Sequence, residues 1–291
     1  MNCNQCPRQC DMDRTKTLGY CGMQELKISK VMKHYCEEPI ISGANGSGTI
    51  FFTGCSLKCC YCQNYKISHE RVGEKITVNQ LADIFAQLEK SGVNNINLVS
   101  PTHYTNEIIH ALNIYKPHIP IVWNTSGYET VENIVSLKDY VDIYLCDFKY
   151  FDDNYAIKYS NAPNYMKKCS EALLQMRINQ PQDIIKDEVM QKGVIVRHLV
   201  LPTLHNDSVK IFEWIGQNLG TDTIISVMSQ FMPCFRATDY AELSRSITPL
   251  EYTFVTKKIQ NLGFENGFFQ ELSSSSDCYV PDFIKSPLID L

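Results

Sequence analysis

The stretch TIFFTGCSLKCCYCQN, residues 49–64, places an apolar run directly before cysteines at a C-x3-C-x2-C spacing. The β-branched and aromatic residues of Thr49–Phe52 predict a buried strand, which leads directly into the cysteine loop. Cysteines so closely spaced are more typical of metal ligands than of structural disulfides. The stretch therefore predicts a strand whose carboxyl end carries a metal centre.

The rest of the chain repeats this pattern of short apolar runs, with helical patterns between them, which indicates βα units around a parallel sheet. Thr77, with Gln80 three residues later, predicts the start of one helix. Thr248, with Glu251 three residues later, predicts the start of another. Six parallel strands with outer helices fit a partial (β/α)6 barrel or an open doubly wound sheet. The predicted strands are Thr49–Phe52, Ile96–Val99, Ile119–Trp123, Val141–Leu145, Val194–Leu201 and Ile224–Met228.

Polar residues follow the predicted strands at their carboxyl ends, where both of these folds bind their ligands. Asp147 and Lys149 lie two residues apart, so their side chains point the same way in an extended backbone. They predict either a pair that contacts a ligand or a structural ion pair at the barrel mouth. Arg197 stands in an apolar run and predicts either a bidentate carboxylate contact or an ion pair at the edge of the core.

Composition excludes several classes of protein. The 291 residues suit one large core, and a net charge of -5 with scattered Lys and Arg argues against binding to nucleic acid. No apolar run approaches the roughly 18 residues that span a bilayer, and the first residues lack a signal-peptide pattern. We therefore expect a cytoplasmic protein, in which clustered cysteines serve as metal ligands.

A second group of cysteines, Cys3, Cys6, Cys10 and Cys21, lies outside the βα alternation. Residues 1–45 are predicted to form a cysteine-rich knuckle and lead-in, before a barrel over residues 46–291. Four thiolates suit either zinc or a second iron-sulfur cluster, and free thiols or redox-active disulfides are the alternative. Ser273–Ser276 predicts a flexible run. The remaining cysteines are predicted to be bystander thiols or small buried apolar side chains: Cys36, Cys60, Cys146, Cys169, Cys234 and Cys278.

Three thiolates at positions 55, 59 and 62 predict a 4Fe-4S cluster with one iron left open. Electron-transfer clusters usually use four thiolates, one for each iron. The open iron can be chelated by a molecule that carries an amine and a carboxylate, such as S-adenosylmethionine. A structural zinc site would need a fourth ligand in a closed tetrahedron, and no nearby histidine supplies one.

The cysteine loop, with Tyr61 before its last cysteine and Asn64 after it, resembles radical S-adenosylmethionine enzymes, particularly the pyruvate formate-lyase activating enzyme group. GSGTIFFTGC at 46–55, SPTHY at 100–104 and VRHLVLP at 196–202 resemble an activating-enzyme-like branch. The resemblance covers nearly the whole chain. It implies a partial (β/α)6 barrel that cleaves S-adenosylmethionine reductively to a 5'-deoxyadenosyl radical, which abstracts a substrate hydrogen.

The resemblance also implies roles for the matching positions. Cys55, Cys59 and Cys62 would hold the cluster and form the catalytic centre. His103 and His198 are candidates for contact with a substrate. The residues implied to contact S-adenosylmethionine are Tyr61, Asn64, Ser100, Thr102, Asn124, Ser126, Asp147, Lys149, Arg197 and Gln230.

Three positions depart from the group's pattern. Ser100–His103 replaces a Gly-Gly-Glu whose backbone and carboxylate receive the methionine ammonium, so no carboxylate remains there. Asn124 replaces an Asp that helps to hold a monovalent cation. Gln230 replaces a histidine of the pyruvate formate-lyase activating enzyme.

We expect a low-potential flavodoxin or ferredoxin as electron donor, because this chemistry needs the low end of the range of cluster potentials. The resemblance implies a glycine of a glycyl-radical enzyme as substrate. An alternative keeps the radical chemistry but directs it at a peptide or a small molecule, because binding loops decide the substrate. A third hypothesis is an iron-sulfur electron carrier or metal sensor, which would need four-cysteine ligation and would not turn over S-adenosylmethionine.

Overall fold

The computed structural model describes residues 3–272, 283–284 and 288–291. Within these ranges the strands are β1 (Lys27–His34), β2 (Ser47–Phe52), β3 (Glu74–Lys75), β4 (Ile96–Val99), β5 (Ile121–Thr125), β6 (Ile143–Asp147), β7 (Ile184–Lys186), β8 (Val189–Leu199), β9 (Ile224–Met228), β10 (Gly267–Phe269) and β11 (Ile289–Asp290). The helices are α1 (Pro39–Ser42), α2 (Tyr65–Ser68), α3 (Val78–Lys90), α4 (Thr105–Ile114), α5 (Val131–Ser136), α6 (Asp153–Ser160), α7 (Tyr165–Asn179), α8 (His205–Asn218) and α9 (Pro249–Asn261). The predicted flexible run Ser273–Ser276 and Cys278 lie outside the described residues.

Six parallel strands form the centre of the sheet, in the order β2-β4-β5-β6-β8-β9. At one edge β10 pairs parallel with β9, and at the other β1 runs antiparallel to β2 and parallel to β11. In the described part of the chain β10 and β11 do not pair, so the sheet stays open. This confirms the predicted α/β class with a partial barrel of six parallel strands.

The strand and helix predictions are mostly confirmed. β4 and β9 have the predicted bounds, whereas β5 and β6 lie two residues later than predicted because their polar ends continue the hydrogen-bond ladder. Both predicted capping boxes are present: Thr77 with Gln80 begins α3, and Thr248 with Glu251 begins α9. No helix in the described ranges has the length and apolar character that crossing a membrane requires.

The division at residue 45 needs a correction, because β1 belongs to the same sheet as the barrel. Lys27–His34 pairs with β2 over most of its length, and a register shift lies between Ile28 and Lys30. This bulge breaks the apolar alternation, so the sequence pattern does not indicate a strand. The cysteine-rich amino terminus is present as predicted, but its lead-in is part of the barrel.

The segment after β1 turns into the barrel and fills its lower half, which is the half farther from the carboxyl ends of the parallel strands. Ile41 of α1 packs against the inward-facing residues Val122, Leu145 and Ile195. The amide of Asn95 donates to the carbonyl oxygen of Ile41 at 2.7 Å and fixes this segment. Because the lower half is closed in this way, the open space lies at the carboxyl ends of the strands.

Candidate functional site

A cavity of about 530 Å³ opens at the carboxyl ends of the parallel strands. The loop that carries Cys55, Cys59 and Cys62, which we call the thiol loop, lines this cavity. The ends of β4, β5, β6, β8 and β9 and the segment before α1 complete the lining. Most of the predicted site residues meet here: Cys55, Cys59, Tyr61, Cys62, Asn64, Ser100, Asn124, Ser126, Asp147, Lys149, Arg197 and Gln230. The predicted rim of polar groups is therefore one continuous site.

The turn at Gly54 aims the cysteine loop at this cavity. Gly54 has a φ of 89°, which favours glycine, and a Cβ there would collide with Met23 and lie in tight contact with the carbonyl oxygen of Cys21. The amino-terminal segment therefore packs directly on the first turn of the loop. Cys59 is buried, and Cys55 and Cys62 are half-buried.

Each thiol of the loop has its own hydrogen-bonding partner. The backbone N–H of Leu57 donates to Cys55 Sγ at 3.4 Å, and Ser160 Oγ donates to Cys59 Sγ at 3.0 Å. Ser68 Oγ lies 3.2 Å from Cys62 Sγ. Such partners stabilise sulfur that carries negative charge, as it does in cluster ligands.

The donor set fits a 4Fe-4S cluster. In the ranges that the structure describes, no group of three or more His, Cys, Asp or Glu side chains converges on a single metal ion. A 4Fe-4S cluster instead binds each thiolate through a different iron, so separate thiols around one cavity suit it. Burial raises the pKa of the three thiols, that of Cys62 to about 12, so binding of the cluster must displace protons.

Lys149 and Asp147 form an ion pair inside the cavity, with Nζ 2.6 Å from Oδ2. Arg197 Nε contacts the other carboxylate oxygen of Asp147 at 2.8 Å. Burial alone would raise the pKa of Asp147, but Arg197 and Lys149 hold it below its usual value. The sequence analysis offered either ion pairs or ligand contacts for Asp147, Lys149 and Arg197. The structure contains the ion pairs, and all three side chains also line the cavity where a ligand would bind.

Two carboxylates that the sequence analysis missed reach the same cavity from the lead-in segment. Glu37 Oε2 lies 3.0 Å from Arg197 Nη1, and its Oε1 accepts from the amide of Asn97 at 3.1 Å. Glu38 lies beside it, with Oε2 3.9 Å from Arg197 Nη1. The local signal was weak: an acidic pair before Pro39, which begins a four-residue helix.

Three of the residues predicted to contact the cofactor or a substrate are not in the lining of the cavity. Thr102 donates to Glu129 at 2.7 Å, and His103 Nε2 bonds the carbonyl oxygen of Thr53 at 2.8 Å on the side of the amino-terminal segment. His198 bridges the carbonyl oxygen of Phe148 and the hydroxyl of Ser208. Since consecutive strand residues face opposite ways, His198 points outward where Arg197 points inward.

His103 and His198 are also uncharged in these positions. Burial lowers the pKa of His103 to about 3 and that of His198 to about 4, so each is neutral near pH 7. The structure therefore corrects the prediction that they face a substrate and gives each a structural contact instead.

Glu129 is a second buried group that the sequence analysis missed. Its Oε1 accepts from Thr102 and Thr125 at 2.7 Å and from Trp123 at 3.0 Å, and its Oε2 accepts from Asn133. The residue is fully buried and ties the loop after β4 to the end of β5. The sequence signal that could have identified Glu129 is its position four residues after Thr125 and beyond a glycine turn.

The amino-terminal cysteines lie together beside the thiol loop. Cys6 and Cys21 are buried, and the backbone N–H of Tyr20 donates to Cys10 Sγ at 3.4 Å. Arg8 Nε donates to the carbonyl oxygen of Ser56 and ties this knuckle to the loop. The finding that no described group converges on one metal ion includes these four thiols, so a metal here stays a prediction.

The lone cysteines differ in their positions. Cys146 and Cys169 are fully buried, as predicted for small apolar side chains, and Cys60 is buried away from the cavity lining. Cys36 is exposed and borders the cavity, which corrects its prediction as a buried residue. It is exposed because it follows the end of β1, where the chain turns toward the barrel.

Comparison with known proteins agrees with the family resemblance of the cysteine loop. A family model described as the Radical SAM superfamily matches residues 49–186. The uncharacterized protein MJ0674 of Methanocaldococcus jannaschii is 33% identical over 258 residues, which cover 85% of this chain and 71% of that protein.

A solved structure with a similar fold is that of Streptococcus suis SuiB bound to the precursor peptide SuiA. It is 14% identical with a TM-score of 0.50, and the match covers 75% of this chain and 46% of the SuiB chain. The chain thus spans about half the length of SuiB. At this identity the likeness concerns the fold alone.

Proposed function

We propose, since this chain belongs to the Radical SAM superfamily, that it uses S-adenosylmethionine at a 4Fe-4S cluster to abstract a hydrogen atom from a substrate. One observation carries the proposal: the thiols of Cys55, Cys59 and Cys62 line the same cavity as Asp147 and Lys149. When bound, the cluster supplies the electron that breaks a carbon–sulfur bond of S-adenosylmethionine and yields a 5'-deoxyadenosyl radical.

The residues of the chain hold and orient the reactants. Lys149 and Asp147 present one charge of each sign at the end of β6, which suits a cofactor that carries both an ammonium and a carboxylate. Arg197 fixes the carboxylate of Asp147 from the neighbouring strand. Polar groups of Ser100 and Asn64 border the same space and supply further hydrogen bonds.

Apolar side chains line part of the same cavity. They are those of Phe51, Leu57, Leu199 and Phe231. Exclusion of water strengthens electrostatic contacts inside the site and protects a radical from side reactions.

The substrate is the second part of the proposal. Resemblance to activating enzymes supports a glycine of a glycyl-radical enzyme. The segment Ser100–His103, which lacks the carboxylate of that group, favours a second candidate, a peptide or a small molecule. SuiB, which shares the fold, has been solved with a precursor peptide.

The test of the radical chemistry is production of 5'-deoxyadenosine. The protein, reconstituted anaerobically with iron and sulfide, is expected to form it from S-adenosylmethionine in the presence of dithionite. Cys59→Ala is expected to lose this activity, and Cys60→Ala, which changes a buried thiol outside the cavity lining, is expected to keep it. No product from the wild type, under conditions that support a known relative, would contradict both enzyme hypotheses and favour an electron carrier.

Isotope transfer separates the two substrate candidates. Deuterium placed at the target glycine of a glycyl-radical partner should appear in 5'-deoxyadenosine if the chain is an activating enzyme. Deuterium arriving only from a labelled peptide or small molecule would exclude the glycyl-radical assignment. A low-potential flavodoxin or ferredoxin as electron donor and a cytoplasmic location complete the proposal, and reduction of the cluster by such a donor tests the former.

A further inference from the structure

The cavity has a floor of two adjacent carboxylates, Glu37 and Glu38, which we call the acidic floor. Glu37 accepts a hydrogen bond from Asn97, and Glu38 is hydrogen-bonded to Ser226. Asn97 and Ser226 each precede the last residue of their strands by two positions. Two strand residues span roughly 7 Å, so the acidic floor lies about one layer of side chains below the rim.

The charges around the cavity do not balance. Among the described residues that line it, the acidic side chains are Glu37, Glu38 and Asp147, and the basic ones are Lys149 and Arg197. Lys149 pairs with Asp147, and Arg197 is hydrogen-bonded to Asp147 and Glu37, with Glu38 at the outer limit of ion-pair distance. One negative charge is left without a cation of its own, and a buried charge in that position is costly.

Glu38 is the carboxylate left over. Its side chain is 7% exposed, and no donor reaches its Oε2 within hydrogen-bonding distance. Arg197 Nη1 lies 3.9 Å away, which is too far for a hydrogen bond. The side-chain oxygen of Asn97, whose amide group donates to Glu37, is a second buried acceptor without a donor. Two buried acceptor oxygens without a hydrogen-bond donor therefore lie at the level of the acidic floor.

We propose that the acidic floor binds a cationic nitrogen group of the substrate, so that the radical chemistry acts on a molecule that carries an amine or a guanidinium. This inference rests on the proposed function. A protonated nitrogen supplies both what Glu38 Oε2 lacks, a donor and a positive charge. A neutral donor would satisfy the oxygen but leave the charge, and an anion would be repelled by the carboxylates.

The electrostatics of Glu38 agree with this assignment. Burial raises the pKa of Glu38, and the guanidinium of Arg197 only partly opposes this effect. A ligand cation next to Oε2 would favour the ionised carboxylate. S-adenosylmethionine also carries an ammonium, so an experiment must separate the cofactor from the substrate as the source of the cation.

The test uses the full chain with its cluster reconstituted and oxidised, and compares small probes of matched size by saturation-transfer NMR. The probes are n-butylammonium, 1-butanol and propionate. The wild type is expected to bind n-butylammonium in preference to the other two, and to keep binding it when S-adenosylmethionine is saturating. Equal binding of 1-butanol, or stronger binding of propionate, would overturn the proposal.

Variants of Glu38 locate the contact. Glu38→Gln keeps the size of the side chain and is expected to weaken n-butylammonium binding roughly tenfold or more. Glu38→Asp retains the charge and is expected to keep the preference for the cation. Glu213→Gln, on the exposed face of α8, is the matched control and should bind as the wild type does.

Two further outcomes would defeat the assignment. If Glu38→Gln binds n-butylammonium as tightly as the wild type, the acidic floor is not the site. If S-adenosylmethionine displaces n-butylammonium, the cation belongs to the cofactor and the substrate assignment fails. Failure of the proposed function is recognised separately, by absence of 5'-deoxyadenosine, because probe binding needs neither an electron nor turnover.

Discussion

Ser160 Oγ donates a hydrogen bond to Cys59 Sγ at 3.0 Å, although 101 residues separate the two along the chain. Ser160 is the last residue of α6 and is fully buried. Its hydroxyl also bonds Tyr150, whose hydroxyl lies 2.5 Å from that of Tyr61. A buried chain of hydroxyl groups therefore ends on one ligand of the candidate cluster.

Removal of this hydrogen bond should make the cluster harder to reduce. A donor to a ligating sulfur stabilises the added negative charge of the reduced state, so Ser160→Ala is expected to lower the reduction potential. Tyr150→Phe breaks the chain one step further away and should produce a smaller shift in the same direction. Ser170→Ala, which removes another poorly exposed hydroxyl that donates to the carbonyl oxygen of Lys167 and not to a thiol, is the control. Redox titration followed by electron paramagnetic resonance measures the shift, and an unchanged potential in Ser160→Ala would refute this role.

Asp147 should stabilise the fold as well as the site. Asp147→Asn removes the partner of both Lys149 and Arg197, whose side chains are 17% and 14% exposed. Loss of one member of a largely buried ion pair costs about 3 kcal/mol, because it leaves charge without compensation. The expected result is a decrease of that size in the free energy of unfolding in urea, together with weaker binding of S-adenosylmethionine.

A surface ion pair provides the control for Asp147. Glu25 contacts Lys75, and these side chains are 58% and 63% exposed. Glu25→Gln is expected to change the free energy of unfolding by less than about 1 kcal/mol, because water screens the pair. Similar changes in the two variants would show that the ion pairs of the cavity do not stabilise the fold.

The features that the sequence predicted are local ones. The spacing of Cys55, Cys59 and Cys62, the capping box of Thr77, and the apolar runs of β4 and β9 all concern residues near one another in the chain. Asp147 and Lys149 were predicted because two-residue periodicity in an extended backbone already places them on one face.

The features that the sequence did not predict depend on distant contacts. Glu37 meets Arg197 across 160 residues, and no local pattern shows that the lead-in segment turns into the barrel. His103 stands in a motif at the rim but turns away, because Thr53 and the amino-terminal segment supply its contacts. Such contacts follow from how the segments pack in the folded chain.

Glu129 should make the stability of the protein depend on pH. Burial raises the pKa of Glu129 above its ordinary value of 4.5, even though four donors oppose this effect. A raised pKa in the folded state means that the contribution of the carboxyl group to stability is complete below about pH 4.5 and declines as the pH rises. Glu129→Gln, which cannot ionise, lacks this decline.

The free energy of unfolding of the wild type, minus that of Glu129→Gln, is therefore expected to fall as the pH increases from 4.5 toward neutrality. The fall amounts to about 1.4 kcal/mol for each unit by which folding raises the pKa. Urea unfolding over a pH series measures it, with the exposed Glu132→Gln as control. A difference that is constant with pH, or that grows as the pH rises, would contradict the raised pKa.

The amino-terminal cysteines should bind metal independently of the thiol loop. Cys3, Cys6, Cys10 and Cys21 supply four soft ligands within a short knuckle, and this donor set suits zinc or a second iron-sulfur cluster. A double variant, Cys3→Ala with Cys6→Ala, is expected to lose either one zinc or one cluster's iron, and the metal that disappears identifies the site. Cys146→Ala with Cys169→Ala, which changes two buried thiols elsewhere, is the matched control. An unchanged metal content in the double variant would show that these thiols do not bind metal.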